Sequence, residues 1–137
     1  MSMFGYKTVL QFVYGGVANT SYELVDFSYD IFQSIDEKGK PQSNMFLGSI
    51  RMIYPGLPTK ELLDYMVNPH RYKDGNIKVM DNEGQTIQEI SFKTGKCVKL
   101  DFSYNQAGSG YVSSSIVIVA KEIEIDSYSV SNSWINK

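Results

Sequence analysis

Polar and apolar residues alternate strictly through long parts of this chain, and that pattern limits the fold more than any other feature. In "SYELVDFSYDIFQS", Val25, Phe27, Tyr29 and Ile31 fall on one side and Asp26, Ser28 and Asp30 on the other. A period of two is the signature of a half-buried antiparallel strand. From Lys96 to Asn105 it recurs, with Val98, Leu100, Phe102 and Tyr104 set against Lys99, Asp101 and Ser103. Thr8 to Tyr14, "MFLGSIRMIY" and "YVSSSIVIVAKEIEI" are also rich in β-branched and aromatic residues. Asn76 to Met80 and Thr86 to Phe92 form a hairpin pattern about "DNEG".

Only Thr59 to Val67 has helical spacing. Thr59 suits the N-cap, Glu61 the first turn, and Leu62, Leu63, Met66 and Val67 an apolar stripe. Asn68-Pro69 ends it, because proline disfavours helical geometry in the residue before it. The polar segment "DEKGKPQSN", Asp36 to Asn44, holds Gly39 and Pro41 and reads as a projecting loop.

The expected fold is therefore all-β and mainly antiparallel: a small barrel or sandwich of about seven strands with one short helix. At 137 residues it is one domain, expected over 1–126, with a polar, frayed tail over 127–137. One strand asks for more. In "IVIVA", Ile116 to Ala120, both faces are apolar, so the helix or a second subunit must cover the outer one.

Candidate chemistry is sparse. His70 is the only histidine, Cys97 the only cysteine, and no phosphate-cradling motif or nucleophile-base spacing occurs. His70, Arg71, Tyr72 and Lys73 read as a solvated corner or a subunit contact, and Gly75 as the relief of a turn. Asp26 with Asp30, and Glu122 with Glu124, read as a wet sheet face. Thirteen basic against fifteen acidic residues disfavour a nucleic-acid partner. The start of the sequence is too short and too polar for a leader or a membrane span, so no membrane insertion is expected. No enzyme activity, metal or cofactor is expected.

Three segments together resemble the Bacteroidetes form of the type VI secretion tube protein family, TssD or Hcp. They are "LLDYM" followed by "NPHRYKDGNI", then "YDIFQSIDEKGKPQS", and "SSSIVIVAKEIEI". Lys40 stands where the family pattern has arginine, and Tyr65 where it has tryptophan. The resemblance implies a β-barrel that forms homohexameric rings, stacked into a tube and expelled with effectors by a contractile sheath. Implied partners are the chain itself, sheath proteins, a VgrG-type tip protein and effector proteins. The implied location is the cytoplasm before firing, then the outside or a target cell, without a signal peptide. Asp36, Lys38, Gly39, Lys40 and Pro41 are the expected ring-stacking loop. Ile116, Val117, Ile118, Val119, His70 and Arg71 are the expected subunit interface. A phage-like tail-tube protein and a monomeric small-molecule-binding barrel are the alternatives.

Overall fold

The computed structural model describes residues 6–14, 17–35, 41–106, 111–126 and 128–131. In chain order the elements are β1 (Lys7–Tyr14), β2 (Val17–Leu24), β3 (Asp26–Ile35), β4 (Pro41–Tyr54), α1 (Lys60–Val67), β5 (Lys73–Met80), β6 (Thr86–Asn105), β7 (Tyr111–Ile125) and β8 (Tyr128–Ser131). All eight described strands belong to one sheet, ordered β2-β1-β5-β6-β7-β4-β3, with β8 added on β7. Every pairing is antiparallel.

That order forces closure. β2 and β3 stand at opposite ends of the path, yet only Val25 separates them in sequence. In a flat sheet, six strand spacings would part them by about 29 Å. One residue cannot span this, so the sheet rolls up into a barrel. At the seam Val25 N–H donates to the Ile53 carbonyl at 2.9 Å. The Tyr22 ring stands edge-on to Tyr54 with centroids 5.1 Å apart.

The structure redraws several strand boundaries. The alternation through Val25 hides a bend that divides one expected strand into β2 and β3. Conversely, Thr86 to Asn105 is a single strand, because a bulge absorbs the irregular middle. Cys97 pairs with Ile118 and Lys99 with Val117, which leaves Val98 as the extra residue. The bulge moves Val98 off the face of Leu100, where simple alternation places it, and leaves it 49% exposed. β4 begins at Pro41, opposite Ile35, rather than after Asn44. Proline is tolerated at the first position of a strand. In the expected frayed tail, Tyr128–Ser131 instead pairs with Ile125 to Glu122 as β8.

Alternation fills the interior. Leu10 and Phe12, Ile50 and Met52, Ile90 and Phe92, Ile116, Ile118 and Ala120 all point inward and are buried. Burying each large side chain contributes about 1.5–3 kcal/mol. Gly75 lies in β5 rather than in a turn. A Cβ there would stand 2.7 Å from the Gln11 carbonyl oxygen and 2.7 Å from Phe92 Cζ, so packing demands the glycine.

An eight-residue helix is too short to persist alone, so α1 depends on the barrel. Thr59 caps it, accepting from Leu62 N–H at 3.2 Å. Leu62 and Tyr65 are the buried positions, with Met66 packed at the core margin. Leu63 and Val67, expected in the buried stripe, face outward. Asn68 adopts an extended conformation with ψ 110° before Pro69, and the helix stops there.

Candidate functional site

The corner after α1 is less uniform than a solvated loop. His70 is exposed, and its backbone N–H donates to Asn68 Oδ1 at 3.1 Å, closing a short local turn. Arg71 is exposed too, with its Nε 3.0 Å from Asp64 across the helix end. Lys73 breaks the pattern. It opens β5 facing inward and is only 8% exposed.

Lys73 belongs to a polar clasp beneath the helix. Glu61, in the first turn of α1, accepts hydrogen bonds from Tyr22 Oη at 2.6 Å and Thr20 Oγ1 at 2.8 Å, and one from Tyr14 Oη. Lys73 Nζ donates to Tyr14 Oη and lies 3.9 Å from the Glu61 carboxylate. It also stands 4.5 Å from the Tyr14 ring centroid and 5.3 Å from that of Phe12. The clasp thus ties the helix to β1, β2 and β5.

The electrostatics follow from this geometry. Burial alone pushes the Glu61 carboxyl up. Hydrogen bonds from Tyr14, Tyr22 and Thr20, with the charge of Lys73, outweigh it and hold the group below its ordinary value. Burial lowers Lys73, against the pull of Glu61. Burial and the bond to Glu61 push Tyr22 up to about 12. The sequence marks only one member of this set, an acid in a first helical turn. The three hydroxyls lie 39 to 47 positions from Glu61, and Lys73 lies 59 from Tyr14, beyond any local spacing rule.

The outer flank has the opposite character. Tyr72, Lys96, Val98 and Val119 line an apolar hollow of about 210 Å3. The Lys96 ammonium is turned away from it, donating to the Tyr65 carbonyl at 2.6 Å near the helix C-terminus, where a cation is favoured. What remains at the surface is largely hydrocarbon. The residues expected at a subunit interface separate here. Ile116 and Ile118 are fully buried inside the barrel and cannot meet a neighbour, because strand alternation turns them inward. Val117 and Val119 share the outer face and remain half-buried.

Of the expected stacking loop, Asp36, Lys38, Gly39 and Lys40 lie outside the described residues, and Pro41 begins β4. Among the described residues, no group of three or more His, Cys, Asp or Glu is placed to hold a metal. No described helix is long and apolar enough to cross a membrane.

A barrel closed at β2 and β3, plugged by a short helix and apolar on one flank, can be set beside known proteins. The fold is similar to "Hcp1 from Flavobacterium johnsoniae", at 24% identity, TM-score 0.76, 92% of this chain and 99% of that one. It is similar to Hcp1 from Salmonella typhimurium at 6% identity and TM-score 0.67, over 93% and 92% of the two chains. A more distant likeness, at 16% identity and TM-score 0.52, is to an extracellular contractile injection system, the PVC sheath-tube complex, over 93% and 92%. No curated protein matches. The family model described as hemolysin coregulated protein Hcp (TssD) matches residues 4–135, nearly the whole sequence, and the chain therefore belongs to the Hcp (TssD) family.

Proposed function

We propose that this chain works as the structural subunit of the type VI secretion inner tube, closing into a ring of six copies that stack end to end. The family match over residues 4–135 carries this reading, and the family is one of tube proteins rather than of known enzymes. A closed ring needs a heterologous contact, one patch on each copy meeting a different patch on the next. The hollow of Tyr72, Val98 and Val119, extended by Val117, supplies one apolar half of such a contact. His70 and Arg71 sit at its sequence margin and form a polar rim. The segment around Asp36, Lys38, Gly39, Lys40 and Pro41 contributes to stacking.

The tube in this reading is propelled by a sheath, is tipped by a VgrG-type protein, carries effector proteins and is delivered outside the cell or into a target cell. A small-molecule barrel is disfavoured because Leu10, Phe12, Ile77, Phe92, Ile116 and Ile118 occupy the interior. The same assembly would serve as the tube of an extracellular contractile injection particle, given the likeness to the PVC sheath-tube complex.

Light scattering tests the ring. One chain is 15.5 kDa, so six copies weigh about 93 kDa (6 × 15.5). Val98→Asp places a charge in the contact and is expected to give a monomer, with stability within about 0.5 kcal/mol of the parent because the site is exposed. A parent that is monomeric at micromolar concentration defeats the ring.

A further inference from the structure

The last turn of α1 is completed by a residue from a distant strand. In a regular helix the Tyr65 carbonyl accepts from the N–H four positions on, but that position is Pro69, which has none. The preceding carbonyl, of Asp64, does find its regular donor, Asn68 N–H, at 3.1 Å. The helix also carries no cation in its own last turn, where one is favoured. Lys96 supplies both donor and charge from β6. Its Nζ lies 2.6 Å from the Tyr65 carbonyl oxygen and 5.6 Å from the Tyr65 ring centroid.

The same lysine belongs to the barrel's outer flank. Lys96 pairs with Val119 across β6 and β7, and paired residues project from one face of a sheet. Its stem lines the hollow together with Tyr72, Val98 and Val119, while the bond to Tyr65 draws the ammonium aside. If α1 leaves the barrel, the carbonyl leaves with it. The ammonium then takes water above the hollow, and a second copy seated there must strip that water with no partner in return. The flank is therefore apolar only while the helix is in place.

The helix is also the element suited to local opening. Its eight residues do not persist alone, and it is held by the Thr59 cap, the Glu61 clasp, the buried Leu62 and Tyr65, and Lys96.

We propose that Lys96 is a latch that couples α1 to assembly. While it holds the Tyr65 carbonyl, the flank accepts a second copy; when α1 opens, the freed charge turns that copy away. This rests on the ring reading above and adds a regulation to it, since a subunit whose helix has not docked is kept out of a ring.

Two rates measured on the intact chain test the latch. Hydrogen exchange of the α1 amides reports helix opening, and exchange of subunits between differently labelled rings reports ring opening. Thr59→Ala removes the N-cap and should raise helix opening about fivefold, with subunit exchange rising alongside. Lys96→Met keeps an apolar stem and removes the ammonium. Its helix should open more often than the parent's, yet its rings should exchange subunits more slowly. A lysine with a merely structural role would move both rates the same way. In the double variant, Thr59→Ala with Lys96→Met, loss of the cap should no longer speed subunit exchange. The inference is overturned if Thr59→Ala speeds helix opening but not subunit exchange, or if Lys96→Met speeds both. A double variant that exchanges subunits as fast as Thr59→Ala alone overturns it too. Should Thr59→Ala fail to fold, Lys96→Met decides by itself, through whether its two rates part or move together. A monomeric parent instead defeats the ring reading.

Discussion

Two regions of this barrel treat awkward groups in opposite ways. Beneath the helix, polar groups that should be in water are buried, and each meets a partner. Glu61 receives three hydroxyls, and Lys73 has a phenol, a carboxylate and aromatic faces. On the flank and at the end of β6, apolar groups that should be buried stand in solvent. Val98, Phe102 and Tyr104 meet little of their own chain. A buried charge without a partner costs several kcal/mol within the monomer, so the clasp must be completed by the fold itself. An exposed valine or phenylalanine costs far less, and on the flank it can wait for a second copy. The difference separates residues that make the subunit from residues that, in the tube reading proposed above, assemble it.

The sharpest way to break this comparison is Glu61→Ala. It strips the acceptor from Tyr14, Tyr22 and Thr20, and leaves the Lys73 ammonium buried beside a bare phenol. The expected loss is about 3 kcal/mol, the lower end for a broken buried pair, since Glu61 keeps 19% of its side chain exposed. Urea unfolding measures it, and a loss no larger than that of Val98→Asp would erase the distinction. Gly75→Ala should follow at about 1–3 kcal/mol, the range for overpacking, because the new methyl meets backbone at Gln11 as well as the Phe92 ring.

Acid offers a gentler probe of the clasp. The carboxyl of Glu61 is held below its unfolded value. Its contribution is therefore complete above the ordinary carboxylate range and is lost as pH falls through the depressed value. Unfolding free energy measured from pH 7 down to pH 3 should decline with a slope that Glu61→Gln reduces. An unchanged slope would mean that other carboxylates carry the acid response.

Much of this was legible in sequence, and the failures have physical causes. Alternation finds strands because side chains on a strand point to opposite faces, and Thr59 with Asn68-Pro69 bounds the helix by local backbone chemistry. Alternation cannot reveal the bend at Val25, since a sheet corner preserves the pattern. It misplaces Val98, since a bulge shifts the period by one. The doubly apolar β7 suggests four interface residues, but two of them, Ile116 and Ile118, belong to the interior. Lys73 is misread because charge in a polar run suggests solvent, whereas its partners are brought near by the pairing of β1 with β5 and by α1 packing on the barrel. The family resemblance supplies assembly, which no single chain's pattern contains.

The smallest expected effect tests the one place where the clasp region breaks its own rule. Tyr65 is fully buried on the inner face of α1, against the Phe12 ring at 5.5 Å between centroids. Its hydroxyl has no hydrogen-bond partner among the described residues, and burial pushes its pKa well up. An unpaired buried hydroxyl costs about 1–3 kcal/mol against a paired one, while the ring contributes packing and an edge-on contact. Tyr65→Phe removes the oxygen and keeps the ring. It should raise stability by about 1 kcal/mol, less than the full penalty because a small void replaces the oxygen. Thermal and urea unfolding would register the gain. A clear loss would mean that the hydroxyl is satisfied after all, by a water held beneath the helix, and the clasp would then extend across the whole inner face of α1.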